Sequence, residues 1–68
     1  MTLREWIDRY GRGAINLLHM RTGLACQTVS HAARDGAKTR RVAEALSAAT
    51  VDPETGEPAV SVAEVLGL

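Results

Sequence analysis

Two helical patterns meet at the stretch Gly23-Leu24-Ala25-Cys26-Gln27-Thr28-Val29-Ser30. Gly23 suits a tight turn, because glycine adopts positive φ at little energetic cost. Leu24 is an apolar residue that can fill the space where two helices cross, and Val29 can pack beneath the preceding helix. These features predict a helix-turn-helix within about residues 13–35, with its second helix spanning about 25–35.

Apolar residues at three- and four-residue spacing predict five short helices, at about residues 2–10, 13–22, 25–35, 39–49 and 61–66. Thr2 with Glu5 forms a capping box at the first helix, in which each side chain satisfies a free backbone N–H. Ser61 with Glu64 repeats this pattern at the last helix. Gly36 is expected to end the third helix in the left-handed conformation.

The segment 51–60 contains both prolines of the chain among acidic residues, so we expect a turn or a loose hairpin there. Its apolar ends, Val51 and Val60, leave a short two-stranded pairing open. The residues predicted to face the core are Leu3, Trp6, Ile7, Tyr10, Ala14, Leu17, Leu18, Val29, Ala32, Ala33, Val42, Ala45, Leu46, Val62, Val65 and Leu66.

Length and composition predict one all-α domain, a compact bundle of about five short helices spanning 1–68. The chain has 68 residues, of which 46 % are hydrophobic, and this is near the lower size limit for a core that is stable alone. Dimerisation is therefore a natural supplement to folding.

Charge is balanced in total and divided along the chain. All 8 basic side chains lie in residues 1–41, whereas residues 42–68 contain acidic side chains and no basic one. A basic helical segment is typical of proteins that bind a phosphate backbone, which makes double-stranded DNA the first partner to consider. The acidic end is expected to point away from the duplex.

Several classes of function find no support in the sequence. A single cysteine excludes an intramolecular disulfide and fits a reducing compartment. No apolar run approaches the ~20 residues of a membrane span, and the start lacks a signal peptide, so we expect a cytoplasmic protein with no membrane partner. We also expect no enzyme and no cofactor, because neither paired carboxylates nor a glycine-rich phosphate loop is present.

Metal and redox chemistry can be considered only for a few residues of this sequence. His19, Cys26 and His31 match no familiar metal-site spacing, so no metal is expected. Cys26 would lie at a helix N-terminus, where a thiolate is favoured. A redox role and a tolerated small side chain are the two interpretations of this cysteine.

Residues 23–30 resemble the start of the recognition helix in Cro and lambda-repressor-type (XRE-type) proteins. The first helix of small phage Cro proteins is similar to Thr2-Leu3-Arg4-Glu5-Trp6 with Tyr10-Gly11, and the last two predicted helices resemble the close of small prophage regulators. The resemblance implies a lambda-repressor-like fold and a phage or prophage transcriptional repressor. Such a protein binds operator DNA, as a homodimer at least on DNA, and excludes polymerase from a promoter.

Three positions depart from this family pattern. His19 occupies a position where the family has a small residue, and Thr22 one where leucine is common. Either the turn is one or two residues longer, with Leu17 and Met20 facing inward, or His19 is accommodated at a widened crossing. Ala25 lacks the side-chain cap preferred at the start of a helix, a loss that costs about 1 kcal/mol.

The resemblance implies that the helix at 25–35 enters the major groove and that its polar face meets base edges. The predicted base contacts are Gln27, Ser30, His31 and Arg34, and the predicted phosphate contacts are Arg12, Asn16, Thr28, Lys38, Arg40 and Arg41. Gln27 is the best candidate, because a carboxamide pairs bidentately with adenine. The alternative for each residue is a solvated polar face, and Arg40 has Glu44 at the i,i+4 spacing of a helical ion pair.

A rival function belongs to a different class. The fold could serve as an antitoxin-like protein-binding module that neutralises a partner and represses its own operon. The segment Val60–Leu68 would then be the partner surface, with Leu66 and Leu68 as its exposed apolar residues. Dimerisation through the same segment would explain these leucines equally well.

Overall fold

A computed structural model of the chain describes residues 1–67. The helices in chain order are α1 (Leu3–Tyr10), α2 (Ala14–Thr22), α3 (Cys26–Asp35), α4 (Arg40–Ala49) and α5 (Val62–Leu66). The described part of the chain forms no β-strand, and the predicted all-α bundle of five short helices is confirmed.

Side-chain caps start three of these helices. The Thr2 hydroxyl accepts from the Glu5 amide at 3.1 Å, and the Glu5 carboxylate accepts from the Thr2 amide at 3.0 Å. Ser61 and Glu64 make the same reciprocal pair, so both predicted capping boxes are confirmed. In α4 the Thr39 hydroxyl accepts from an amide of the first turn.

The core receives side chains from every helix and from the segment before α5. Its buried members are Leu3, Leu18, Val29, Ala32, Ala43, Leu46, Ala49, Val60 and Val65. Leu18 of α2 and Val29 of α3 are fully buried, so the prediction that both face the core is confirmed. The two helices joined by the Gly23 turn are thus fastened to the bundle by their inner faces.

Tyr10 does not belong to the core, contrary to the prediction. It is the last residue of α1, where Gly11 turns the chain away, and its side chain remains 53 % exposed. The Tyr10 ring instead stacks on Trp6, with 5.3 Å between ring centroids. The buried part of α1 therefore ends one turn earlier than the apolar spacing predicts.

The inner face of α4 is also rotated relative to the prediction. Val42 and Ala45 are only half-buried, whereas Ala43 and Leu46 are fully buried. The reason is a buried hydroxyl: the Ser47 Oγ donates to the Val60 carbonyl at 2.7 Å and keeps this side of α4 against the core. Hydrophobic spacing alone gives no indication of that bond.

Gly36 ends α3 with positive φ, as expected, but outside the left-handed helical region. Its φ is 88° and its ψ is 154°, a conformation that is essentially restricted to glycine. A Cβ atom at this position would lie 3.0 Å from the Leu66 carbonyl oxygen. The adjacent Ala37 amide donates to the Val65 carbonyl at 2.8 Å, so this glycine permits the close approach of α3 and α5.

The predicted hairpin at 51–60 is reduced to a single antiparallel bridge. Val51 pairs with Pro58, and the Asp52 amide donates to the Glu57 carbonyl at 3.0 Å. Val60 does not pair with Val51, because Val60 is buried and donates its amide to the Thr50 hydroxyl.

Candidate nucleic-acid interface

The turn between α2 and α3 consists of residues 23–25 and is held by side-chain hydrogen bonds. Gly23 adopts the left-handed conformation, with φ of 75° and ψ of 2°. The Thr22 hydroxyl donates to the Leu18 carbonyl at 2.6 Å and accepts from the Leu24 amide at 3.2 Å. Thr22 thus stabilises the turn by hydrogen bonding where the resembling family commonly has leucine.

His19 also belongs to this turn. Its half-buried ring donates from Nδ1 to the Leu24 carbonyl at 2.5 Å, because a carbonyl oxygen can only accept. The proposed inward shift of Met20 does not occur, since Met20 is 74 % exposed and α2 ends at Thr22. His19 is therefore accommodated beside an unlengthened turn, with a function in holding that turn which the sequence did not indicate.

The outer face of α3 contains all four predicted base contacts. Gln27, Ser30, His31 and Arg34 follow the i, i+3, i+4, i+7 spacing of one helix face, and all are exposed. The opposite face buries Val29 and Ala32. We call these four residues the α3 polar row.

Arg34 lies beside Asp35, but this contact does little to keep its guanidinium from binding another partner. Its Nε lies 3.6 Å from the Asp35 carboxylate, and the two side chains are 63 % and 72 % exposed. An ion pair this exposed contributes little free energy, so the guanidinium can exchange this partner for another.

The start of α3 has no side-chain cap, as predicted. Ala25 is the N-cap residue and offers no acceptor, and the next three residues, 26–28, are all exposed. The start of α2 is similar, because its N-cap residue is Gly13. Backbone N–H groups in the first turn of α3 can therefore donate to an external acceptor, whereas the first amide of α2, at the buried Ala14, already donates to the Gly11 carbonyl at 3.4 Å.

Two grooves flank the α3 polar row. On one side, Thr28 and His31 of α3 face Lys38, Thr39 and Val42 at the start of α4. We call this the α4-side groove. It brings Thr28 and Lys38, two of the predicted phosphate contacts, to one margin of the row.

On the other side, Ser30 and Arg34 share a groove with Arg4 and Asp8 of α1 and with Ile15 of α2. We call this the α1-side groove. Arg4 is a candidate phosphate contact that the sequence reasoning missed, because only the packing of α1 on α3 brings it there. Asp8 is the acidic group on this margin and limits how closely a phosphate can approach.

The remaining predicted phosphate contacts are dispersed. Arg12 and Asn16 are exposed at the start of α2 but line neither groove. Arg41 is exposed on α4. Arg40 pairs with Glu44, with 3.1 Å between Nε and the carboxylate, so the ion-pair alternative is confirmed for this residue.

The acidic segment lies elsewhere on the molecule. Asp52 and Pro53 share a third groove with Trp6, Tyr10 and Arg21 near the ends of α1 and α2. No residue of 51–60 is among those that line the two grooves beside α3. Glu64, which also belongs to the acidic end, shares a further groove with Arg34 of the α3 polar row, so the acidic end is not wholly separated from this row.

Part of the segment assigned to a protein partner belongs to the core. Val60 and Val65 are buried in the core, and Leu66 packs against it. Leu68 lies outside the described residues. Within 60–67, Leu66 is therefore half-buried and not the fully exposed apolar residue that the rival prediction expects.

Two structural features are missing from residues 1–67. No helix there is both long and apolar enough to cross a membrane. No group of three or more histidine, cysteine or acidic side chains is positioned to hold a metal ion in that range.

No protein-family model, curated protein or solved structure matches this chain. The case for a function therefore depends on its own residues and their geometry.

Proposed function

We propose that this protein is a sequence-specific DNA-binding transcriptional regulator of the helix-turn-helix class, with α3 lying in the major groove. The observation that supports this most directly is the α3 polar row. Gln27, Ser30, His31 and Arg34 are all exposed on one face of a helix that follows a left-handed glycine turn. A row of donors and acceptors on an exposed helix is the arrangement that reads base edges.

Each member of the row suits a particular contact. Gln27, in the first turn of α3, pairs with the N6 and N7 positions of adenine. Arg34, two turns further on, donates to a guanine or to a phosphate. Ser30 and His31 lie between them and bond to bases or to ordered water.

Phosphate contacts fix the register of the protein on the duplex. Lys38 and Thr28 at the α4-side groove and Arg4 at the α1-side groove lie beside the row and suit this function. The uncapped start of α3 adds backbone donors near a positive helix end. Arg12, Asn16 and Arg41 are further contacts if the duplex extends over them, and Arg40 is shared with Glu44.

The resemblance to Cro-type proteins suggests which kind of regulator this protein would be. The protein would be a cytoplasmic phage or prophage repressor that occupies an operator of two-fold character as a homodimer. Repression would be steric, since a bound dimer excludes polymerase from the promoter.

Enrichment of a randomised duplex pool on the purified protein tests the proposal. We expect one site, an inverted repeat, whose affinity falls steeply as salt rises because counterions are released from neutralised phosphates. Weak binding that enriches no sequence at any salt concentration would contradict the proposal and favour the protein-binding alternative.

Two matched variants then separate base reading from phosphate binding. Gln27→Ala should lose about 1–3 kcal/mol of discrimination at one base position. Lys38→Ala should weaken all sequences alike and reduce the salt slope by about 1. Glu54→Gln, in the acidic segment, is the control and should change neither quantity. If Gln27→Ala leaves the selected sequence unchanged, α3 does not read bases through this residue.

A further inference from the structure

The α4-side groove combines an apolar floor with a polar rim. Ala32 is buried and Ala37 and Val42 are half-buried, so their methyl groups form the floor. The exposed polar residues that line the same groove are Thr28, His31, Lys38 and Thr39. A mainly apolar surface with a few polar groups around it is the usual composition of a small-molecule site.

The size of the groove limits the ligand. Its volume is about 240 Å³, which is below the range of about 300–1,000 Å³ for pockets that hold drug-sized ligands. A compound with one ring or a short aliphatic chain is therefore the size that suits it.

The polar groups on the rim keep hydrogen-bond donors for a ligand. Within residues 1–67, Lys38 forms no ion pair, and the side chains of Thr28 and His31 form no hydrogen bond. The Thr39 hydroxyl accepts from the Val42 amide at 3.3 Å, which leaves its own proton free to donate. An ammonium, two hydroxyls and an imidazole can thus all donate into one groove.

The charge of this groove differs from that of the other grooves described above. Asp8 lies in the α1-side groove, Asp52 lies in the groove beside Trp6, and Glu64 lies in the groove that it shares with Arg34. Among the described residues, no acidic side chain lines the α4-side groove, where Lys38 carries the permanent charge. A negatively charged ligand is therefore complementary to it.

We propose that the α4-side groove binds a small organic anion with a compact apolar body. The anionic group accepts hydrogen bonds from Lys38 and Thr28, which are stronger than neutral ones where the ammonium donates. The apolar body lies on Ala37 and Val42 and leaves water. Both parts of the ligand are needed, since the groove offers one cationic group and one apolar floor.

Binding of this anion regulates the proposed DNA interface. Lys38 and Thr28 are also the phosphate contacts proposed for this margin of the α3 polar row, and two anions at one ammonium repel each other. The anion and the duplex therefore compete, so that an occupied groove weakens binding to the operator. This regulatory consequence rests on the proposed function, whereas binding of the anion to the free protein does not.

Phenyl phosphate and inorganic phosphate are the probes that test the proposal, because they share the anionic group and differ in the apolar body. Amide NMR titration of the native chain without DNA, at fixed ionic strength and at a pH where both probes are dianions, measures their affinities. We expect phenyl phosphate to bind at least about tenfold more tightly, since its ring is buried on the floor. The largest amide shifts should occur at Ala37, Lys38 and Val42. Equal affinities, or shifts centred outside the α4-side groove, overturn the proposal.

Three variants test which residues hold the probe, each checked for folding by circular dichroism. Val42→Met should fill the floor and weaken phenyl phosphate several-fold without changing the affinity for inorganic phosphate. Lys38→Gln, at an exposed position, should weaken both probes and decides the matter if Val42→Met fails to fold. Arg4→Gln removes a cation from the α1-side groove and is the matched control, which should leave both affinities unchanged. Equal losses in Arg4→Gln and Lys38→Gln would mean that the probes respond to net charge alone, which overturns the proposal.

Competition on the selected duplex separates this inference from the proposed function. At constant ionic strength, phenyl phosphate should weaken DNA binding more than inorganic phosphate does at the same concentration. If no duplex is selected at all, the proposed function fails, and the NMR titration still decides whether the groove binds the anion. If the duplex binds equally tightly when the groove is occupied, the anion does not regulate DNA binding and that part of the proposal is wrong.

Discussion

The helices of this protein begin in two different ways. α1 and α5 begin with complete capping boxes, and α4 begins with the Thr39 hydroxyl on an amide of its first turn. α2 and α3, the pair that carries the candidate DNA face, begin at Gly13 and Ala25, neither of which provides a side-chain acceptor. α4 and α5 pack on each other, whereas α1 packs mainly on the uncapped pair.

The two kinds of helix start differ in whether their backbone N–H groups are bonded within the chain or available to a ligand. Capped helix starts have their backbone donors satisfied within the chain, whereas uncapped starts leave donors for an external anion. The uncapped pair must therefore be held by packing. Leu18 and Val29, both fully buried, supply the inner contacts of α2 and α3. Variants in each group of helices can therefore distinguish stabilisation by packing from stabilisation by caps.

The largest effect is expected from truncating the packing of the uncapped pair. Leu18→Ala should lower the free energy of unfolding by about 3 kcal/mol, because it removes a fully buried side chain and leaves a cavity. Leu17→Ala, at a half-buried neighbouring position, is the matched control and should cost clearly less. Urea denaturation followed by circular dichroism measures both. Equal losses would mean that α2 is not held mainly by its inner face.

The close contact between the end of α3 and α5 should be the next most sensitive position. Gly36→Ala should destabilise the protein by about 2 kcal/mol, because the conformation suits only glycine and the new Cβ would crowd the Leu66 carbonyl. Gly56→Ala is the control, since Gly56 also has positive φ, of 72°, but open space around it. Thermal unfolding of both variants compares them. A larger loss at Gly56 would show that crowding against α5 is unimportant.

Local features of the fold could be predicted from the sequence because their partners are close along the chain. The capping boxes at Thr2 and Ser61 and the turn at Gly23 each depend on residues within three or four positions. The all-α class follows from the same periodicity. The α3 polar row was predicted in full, since the spacing of Gln27 and Arg34 fixes their face once the helix is placed.

Features that depend on tertiary packing could not be predicted. Arg4 joins the candidate site only because α1 packs on α3. The hydrogen bond of His19 goes to a backbone carbonyl, which every residue has, so no sequence signal identifies it. The exposure of Tyr10 depends on where α1 ends relative to the core, and the burial of Ser47 depends on the path of the chain at Val60.

Adding the missing cap of α3 should stabilise the protein, and its effect on DNA binding should depend on the charge of the cap. Ala25→Ser should raise the free energy of unfolding by about 1 kcal/mol, because Ala25 already has the extended backbone of an N-cap residue. Ala25→Asp should stabilise the helix similarly, since a carboxylate is favourable at a helix start.

The two variants of Ala25 should differ on DNA. The serine variant should bind the selected site much like the native chain, whereas the aspartate variant should bind several-fold more weakly, because it adds negative charge beside the phosphates. Fluorescence anisotropy with the selected duplex at fixed salt measures the difference. If both variants bind as tightly as the native chain, the start of α3 does not lie against the DNA backbone.

The smallest effect concerns the capped ends of α1 and α5, which should respond to acid. Hydrogen bonds from the Thr2 backbone and hydroxyl lower the pKa of Glu5 below its usual 4.5. The N-terminal ammonium of Met1 and then the Ser61 hydrogen bonds lower the pKa of Glu64. A carboxyl whose pKa is lower in the folded state than in the unfolded state stabilises the fold above its ordinary pKa. This contribution is lost as the pH falls through the folded value.

Stability should accordingly decline as the pH falls below about 4.5, and Glu5→Gln with Glu64→Gln should reduce the decline. Glutamine still accepts the capping hydrogen bond but binds no proton, so it removes the pH dependence and leaves the box in place. Glu57→Gln, outside both boxes, should retain the native decline. Urea midpoints at about pH 7 and about pH 3 decide between these outcomes. If the double glutamine variant loses as much stability in acid as the native chain, the two capping boxes are not the acid-sensitive part of this fold.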